Sequence, residues 1–288
     1  MIYVIMGPTC SGKTVAANKL MDKFNCDAIN FDAFQIYKEM DIGTSKLSKE
    51  DPHYSRYHLL DYIEPSSSYS VMEYQLEARK ILDQLLKDKK DVVMVGGTGL
   101  YLRATLFDYE FLKEEESDNS DLEKLDNHTL YEILKKMDED AANKIHENNR
   151  KRVIRAISMI RSSGVTKSSR IDAQEHKPIY KDVRFLFISP DREKLYKHID
   201  DRVIEMVNNG LVDEVKNLTS KYDLSLTAKQ GIGYKEIIDF LHGNCSLEDA
   251  ISSIQKRTRN YAKRQVTFFK NQFESERYNS VEELLNSI

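Results

Sequence analysis

The chain has 288 residues, 40% of them hydrophobic and 31% charged, enough for a real core in one large domain or a main domain with an insert. A net charge of −4 excludes a globally basic nucleic-acid binder, so any such contact must come from local patches. No apolar run approaches the ~18 residues of a membrane span, and Cys10, Cys26 and Cys245 form no C-x-x-C pair or even-numbered framework, so the expectation is a reduced, cytoplasmic protein away from membranes.

The chain opens on Ile2–Met6, a β-branched apolar run that predicts a buried strand. It passes directly into GPTCSGKT at residues 7–14, a full match to the phosphate-loop pattern G-x-x-x-x-G-K-[ST], and Thr14–Met21 reads as the following helix. Gly7 and Gly12 let successive N–H groups converge, and the helix N-terminus adds partial positive charge. Gly7, Pro8, Thr9, Cys10, Ser11, Gly12, Lys13 and Thr14 are therefore the expected cradle for a pyrophosphate or polyphosphate. Lys13 would reach the terminal phosphates and the Thr14 hydroxyl would ligand Mg²⁺. The alternative is a glycine turn ahead of an ordinary helix. Cys10 fills a loop position that requires only a small side chain.

Further along, Asp27–Phe31 predicts a second strand ending at Asp32, and Ser70–Lys89 a helix. Asp91–Val95 predicts a buried strand that runs into Gly96-Gly97-Thr98-Gly99. Arg184–Ile188 predicts another, which stops at Ser189-Pro190 and opens a helix over Asp191–Asn209. Strands that alternate with helices and end in glycine turns indicate an α/β fold with a parallel sheet, whose ligands gather at the carboxyl ends of the strands. With the loop after the first strand, the expectation is a P-loop NTPase-like core flanked by helices.

Two stretches break that rhythm. Residues 108–140 carry thirteen acidic side chains against four basic ones, whereas 144–170 carry eight basic ones against Glu147 alone. The shift indicates a mainly helical insert over 108–170, leaving 1–107 and 171–288 as the core. Val153, Ile154, Ile157 and Ile160 follow helical spacing and should face inward. Arg150, Lys151, Arg152 and Arg155 crowd the start of that helix, where the helix dipole disfavours cations; they form either a solvated basic face or a surface for RNA. In the C-terminal helical segment, Leu247, Ile251, Ile254, Tyr261 and Phe268 make an apolar stripe. Lys256, Arg257, Arg259, Lys263, Arg264 and Lys270 make a second basic stretch with no acidic residue among them.

A phosphate loop most often marks a kinase or nucleotide hydrolase, yet Val92–Val95 ends in glycines without the carboxylate that commonly assists Mg²⁺ there, and no arginine-rich lid is evident. Eight blocks narrow the choice: GPTCSGKT, DAFQIYKEMDIGTSK (32–46), YHLLD (57–61), VGGTGLY (95–101), KRVIRA (151–156), DDRVIEMVNNGLVDEV (200–215), GIGYKE (231–236) and RTRNYAKRQVTFFK (257–270). In that order they closely resemble the bacterial tRNA dimethylallyltransferases, from Met1 to about Lys270.

The resemblance implies transfer of a dimethylallyl group from dimethylallyl diphosphate to N6 of the adenine 3′-adjacent to the anticodon of tRNA, with Mg²⁺ and release of diphosphate. It implies Asp32 as general base, Arg202 as a cation on the leaving diphosphate, and Thr98 against the reacting phosphate and adenine. The alternatives to these roles are a metal-positioning or structural aspartate at Asp32, a surface arginine at Arg202, and a helix cap at Thr98. By the same resemblance Asp32, Ala33, Phe34, Gln35 and Thr98 contact the extruded adenine nucleotide, and Lys151, Arg152, Val153, Ile154 and Arg155 grip the tRNA backbone. The expected partners are the tRNA anticodon stem-loop and dimethylallyl diphosphate, and the expected state is a monomer. Three departures stand out: Ala33 replaces the serine common after the aspartate, the region after Tyr109 is shortened and acidic, and no C-x-x-C…H-x-H finger follows Lys270. The competing functions are prenylation of free AMP, a small-molecule kinase, and a nucleotide-regulated RNA-binding module.

Overall fold

The computed structural model describes residues 1–111, 119–166 and 177–288. It divides into two compact units, Met1–Leu106 with Tyr180–Ile288, and Phe107–Ile179. The second contains the expected insert with its boundaries moved outward from 108–170. The acidic run at 112–118 and the basic residues Lys167 and Arg170 lie outside the described residues.

The first unit is built on six parallel strands. Strand β1 (Ile2–Met6) is buried at every residue and is followed by helix α1 (Lys13–Phe24). Then come β2 (Asp27–Asn30), the two-residue β3 (Tyr57–His58), α2 (Val71–Lys87), β4 (Val92–Gly96) and α3 (Gly99–Leu106). The strand order β3-β2-β4-β1-β5-β6 places β1 centrally. Met6 is in register with Gly96 on one side and Phe187 on the other, and Asn30 pairs with Val95. The carboxyl ends of four strands are thereby levelled along one edge, where ligands bind in such sheets. The continuous apolar runs of β1 and β4 follow from a parallel sheet covered on both faces. On one face Ala16 and Leu20 of α1 pack with Ile5, Val93 and Leu186. Helix α2 begins at Ser70, whose side chain and Glu73 form a reciprocal capping box.

The second unit carries short helices α4 (Ser120–Glu123), α5 (Asn127–Met137), α6 (Glu139–Lys144) and α7 (Arg150–Ser163). Asp126 and Asp138 cap α5 and α6 through their carboxylates. Leu130, Leu134, Val153, Ala156 and Ile157 form its core, with Ile154 only partly buried against it. The unit's two ends meet: Phe107 and Pro178 form an antiparallel bridge, and the Asp108 N–H donates to the Lys177 carbonyl at 3.0 Å.

The chain then returns to the sheet as β5 (Val183–Ile188) and continues through α8 (Arg192–Asn208), α9 (Leu211–Lys221), α10 (Leu226–Lys229), α11 (Tyr234–Leu241) and α12 (Leu247–Gln272). It ends with β6 (Glu276–Tyr278) and α13 (Val281–Asn286). The elements expected from sequence all form, with ends moved by a few residues. Phe31 lies just past β2, its N–H donating to the Val95 carbonyl at 2.9 Å. The edge strands β3 and β6 carry no periodic signal because two or three residues are too few to show one. Among the described residues no helix is long and apolar enough to cross a membrane.

Candidate active site

The edge formed by the strand ends holds two adjoining cavities. The first, about 310 Å³, is lined by Thr9–Val15 of the phosphate loop together with Asp32, Gln35, Thr44, Arg202, Tyr261 and Gln265. The second, about 360 Å³, shares Thr9, Cys10, Asp32, Thr44, Arg202 and Tyr261 with it and adds an apolar wall of Phe34, Ile199, Val203, Met206 and Ile254. The residues that sequence marks at Asp32, at the loop and at Arg202 are brought together here, although Arg202 is 193 positions from Thr9.

Within the loop, Gly12 adopts φ 84°, a left-handed conformation suited to glycine, and starts α1. Cys10 holds φ 62° with a side chain present, in the left-handed region that non-glycine residues occupy uncommonly. Gly7, Pro8 and Ser11 are buried, and of the three only Ser11 lines the polar cavity; Pro8, without an N–H, contributes no donor. The Thr9 N–H donates to Gln265 Oε1 at 2.9 Å and is committed there. Lys13 donates through Nζ to the Pro8 carbonyl at 2.7 Å. Burial lowers its pKa to about 8; Asp32 opposes the shift and Arg202 adds to it. An ammonium so destabilised gains more from an arriving anion than a solvated one would.

Arg202, on α8, donates through Nη1 to Thr9 Oγ1 at 3.2 Å and to Cys10 Sγ at 3.3 Å, and through Nη2 to the Thr44 carbonyl at 3.5 Å. It is a cation of the site rather than of the outer surface. Asp32 follows β2. Its Oδ1 accepts from the N–H groups of Phe34 at 3.0 Å and Gln35 at 3.4 Å, an Asx turn that fixes the carboxylate plane. Its Oδ2 lies 3.5 Å from where a Cβ on Gly97 would begin, on the side of the β4 turn. The Thr98 hydroxyl accepts from the Ala33 N–H at 3.0 Å, tying that turn to the aspartate's own. Gln35 donates through Nε2 to the Thr44 and Ser45 carbonyls at 3.1 and 3.3 Å, which orients its side-chain carbonyl.

Two functional residues were not identified from sequence. Gln265 is 5% exposed and, besides accepting from Thr9, donates through Nε2 to the Gly97 carbonyl at 3.0 Å; it couples the phosphate loop to the turn that carries Thr98. A glutamine on the inward side of an amphipathic helix was the available signal. Tyr261, read from sequence as part of an apolar stripe or as an aromatic within the second basic stretch, lines both cavities, and burial with Asp32 nearby holds its phenol above the usual range.

The basic stretches are thinner than sequence suggests. In α12, Arg257 pairs with Glu236 and Arg259 with Asp200, while Lys256, Lys263, Arg264 and Lys270 are exposed. At the start of α7, Arg150 donates to the carbonyls of Leu122, Glu123 and Leu125 and so closes the end of α4. Lys151, Arg152 and Arg155 are exposed. Val153 is 0% exposed inside the second unit's core, so its side chain is spent on packing there. Ile154 is half-buried beside it.

For a metal, the protein offers the Thr14 hydroxyl and the Asp32 carboxylate, which line the same polar cavity. Among the described residues no group of three or more His, Cys, Asp or Glu side chains forms a self-sufficient cage. The set fits a hard cation that takes its remaining oxygens from a phosphate substrate and water.

Comparison with known proteins gives the family. A family model described as IPP transferase matches residues 35–272. The chain is 39% identical over 273 residues to a tRNA dimethylallyltransferase of Anoxybacillus flavithermus, covering 94% of this chain and 88% of that one. It is 36% identical over 293 residues to the enzyme of that name from Macrococcus caseolyticus, covering 100% and 93%. A solved tRNA isopentenylpyrophosphate transferase from Staphylococcus epidermidis superposes with a TM-score of 0.73 at 36% identity, covering 99% of this chain and 96% of that one. A eukaryotic dimethylallyltransferase acting on tRNA superposes at 0.81 with 29% identity, covering 96% and 73%. The sheet is accordingly a P-loop NTPase-like core.

Proposed function

The chain belongs to the IPP transferase family, and from that premise we propose that it moves a dimethylallyl group from dimethylallyl diphosphate to N6 of the adenine 3′-adjacent to the anticodon. It is a transferase acting on tRNA. The diphosphate occupies the polar cavity on the loop amides, with Lys13 and Arg202 on its oxygens. As the bond between the allylic carbon and its oxygen breaks, the electron pair leaves with the diphosphate, and those two cations neutralise the gathering charge. Mg²⁺ held by the Thr14 hydroxyl and substrate oxygens would supply Lewis-acid stabilisation of the same leaving group.

N6 is a poor nucleophile because its lone pair is delocalised into the purine. Its electrons form the new carbon–nitrogen bond while one N6 proton passes to Asp32, general-base assistance typically contributing about 10²–10⁴-fold. The adenine must leave its stack to arrive, at a cost of a few kcal/mol (an order-of-magnitude figure). Phe34 offers a ring face to it and Gln35 a fixed carbonyl. Ile199, Val203, Met206 and Ile254 keep water from the electron-deficient carbon. Lys151, Arg152 and Arg155 contribute contacts to the RNA phosphates.

The observation that carries this reading is the position of Asp32. It lines both cavities, with one carboxyl oxygen pinned by two amides and the other toward the Gly97–Thr98 turn. The test is mass spectrometry of nucleosides after incubation with dimethylallyl diphosphate, Mg²⁺ and either tRNA or AMP. Dimethylallyl-adenosine should appear from tRNA. Prenylated AMP with untouched tRNA, or transfer of a labelled ATP γ-phosphate while dimethylallyl diphosphate is inert, would replace the reading.

A further inference from the structure

Residues 41–43 follow the acceptor segment and place three successive N–H groups around one carboxylate. Glu214, in the first turn of α9, accepts through Oε2 from the N–H groups of Asp41 at 3.1 Å and Ile42 at 2.6 Å. Its Oε1 accepts from the Gly43 N–H at 3.1 Å and from the Tyr234 hydroxyl at 2.7 Å. Consecutive amides converging on an anion form a nest, a favourable and directional arrangement. Tyr234 is 1% exposed, and a Cβ on Gly43 would stand 2.6 Å from its ring, so glycine is what lets this peptide come close enough.

The next peptide carries the consequence. The Thr44 carbonyl accepts from both Gln35 Nε2 and Arg202 Nη2, and the other arm of Arg202 reaches Thr9 of the phosphate loop. The group expected on the leaving diphosphate and the group expected on the adenine thus share one carbonyl, and the carboxylate one peptide upstream determines where that carbonyl sits. Gly43 and Thr44 themselves line the apolar cavity.

We propose that Glu214 is a positioning residue for the transfer reaction, holding the 41–44 turn so that Arg202 and Gln35 are simultaneously in place. The proposal rests on the roles given above to Arg202 and Gln35. Glu214→Gln keeps the shape but turns an NH₂ group toward backbone N–H donors, so at least one of the four hydrogen bonds is lost and the Thr44 carbonyl shifts. Displacements on the order of 1 Å at such a site cost about 10²-fold in rate.

The experiment measures kcat and KM for dimethylallyl diphosphate and tRNA in the wild type, Glu214→Gln, Arg202→Ala and the double variant, with thermal melts to verify folding. Glu214→Gln should lower kcat by about 10²-fold. In the Arg202→Ala background the same change should cost about tenfold or less, because only Gln35 is then left for it to orient and coupled residues are non-additive. Multiplicative losses in the double variant, or Glu214→Gln at wild-type rates while Arg202→Ala is impaired, would overturn this inference alone. Arg202→Ala at wild-type rates would remove the arginine's role and this inference with it. If Glu214→Gln fails to fold, Tyr234→Phe removes one donor from the same carboxylate and keeps the ring. Its smaller loss, about fivefold, should likewise shrink without Arg202, and an undiminished loss there would count against the proposal.

Discussion

Lys13 offers a test of the donor site that needs no turnover. Burial lowers its pKa from 10.5 to about 8 in the free protein. At ~1.36 kcal/mol per pH unit, charging it there costs about 3 kcal/mol more than in water. A diphosphate laid against the ammonium favours the charged form and raises the pKa, so the complex binds more protons than the free protein between about pH 8 and the bound value. Affinity should be flat below about pH 8, where Lys13 is already charged, and should fall above it, approaching tenfold per pH unit. Calorimetric titration of dimethylallyl diphosphate without tRNA, in buffers of differing ionisation enthalpy, counts the protons directly; the ligand's own last ionisation lies below this window. Uptake should approach one proton at about pH 9, be near zero at about pH 7, and vanish in Lys13→Met. Equal uptake in that variant, or affinity unchanged across the window, would refute the assignment of Lys13 to the donor.

Three other outcomes follow from the same geometry. Asp32→Ala should lower kcat by about 10²–10⁴-fold while tRNA affinity by filter binding changes little; a matched loss of affinity instead would make the aspartate a binding group. Removing charge at Arg152 and Arg155 together should weaken tRNA binding and flatten its dependence on salt, since each phosphate contact contributes roughly 0.7–0.9 to the log–log slope; an unchanged slope would place that face in solvent. Cys10 is partly exposed beside Arg202, so a maleimide should label it and abolish activity, with dimethylallyl diphosphate slowing both in peptide-mapped mass spectra. Labelling unaffected by the donor would place the diphosphate elsewhere.

The sheet and the phosphate loop were legible because their determinants are local: an apolar run for β1 and glycine spacing for the loop, whereas Asp32 was singled out as a base by the family resemblance alone. The residues that align these pieces were not. Gln265 is 256 positions from the Thr9 amide it holds, and Glu214 is 171 from Gly43; neither has a pattern of its own in the chain. Charge was legible in amount and not in use. Arg150, Arg257 and Arg259 read as free basic surface, yet carbonyls or carboxylates from other helices occupy them. Val153 shows the same ambiguity in reverse, sitting inside a basic motif while its side chain packs a core.

The antiparallel bridge between Phe107 and Pro178 closes the second unit at its own doorway, so departing and returning chain are already neighbours before the sheet resumes. What lies beyond that doorway can lengthen, shrink or change sign without altering the span that α3 and β5 must bridge. Extra residues raise the closure entropy only logarithmically. A short, acid-rich excursion is therefore compatible with an undisturbed sheet, and excursions of other lengths can be grafted at this junction.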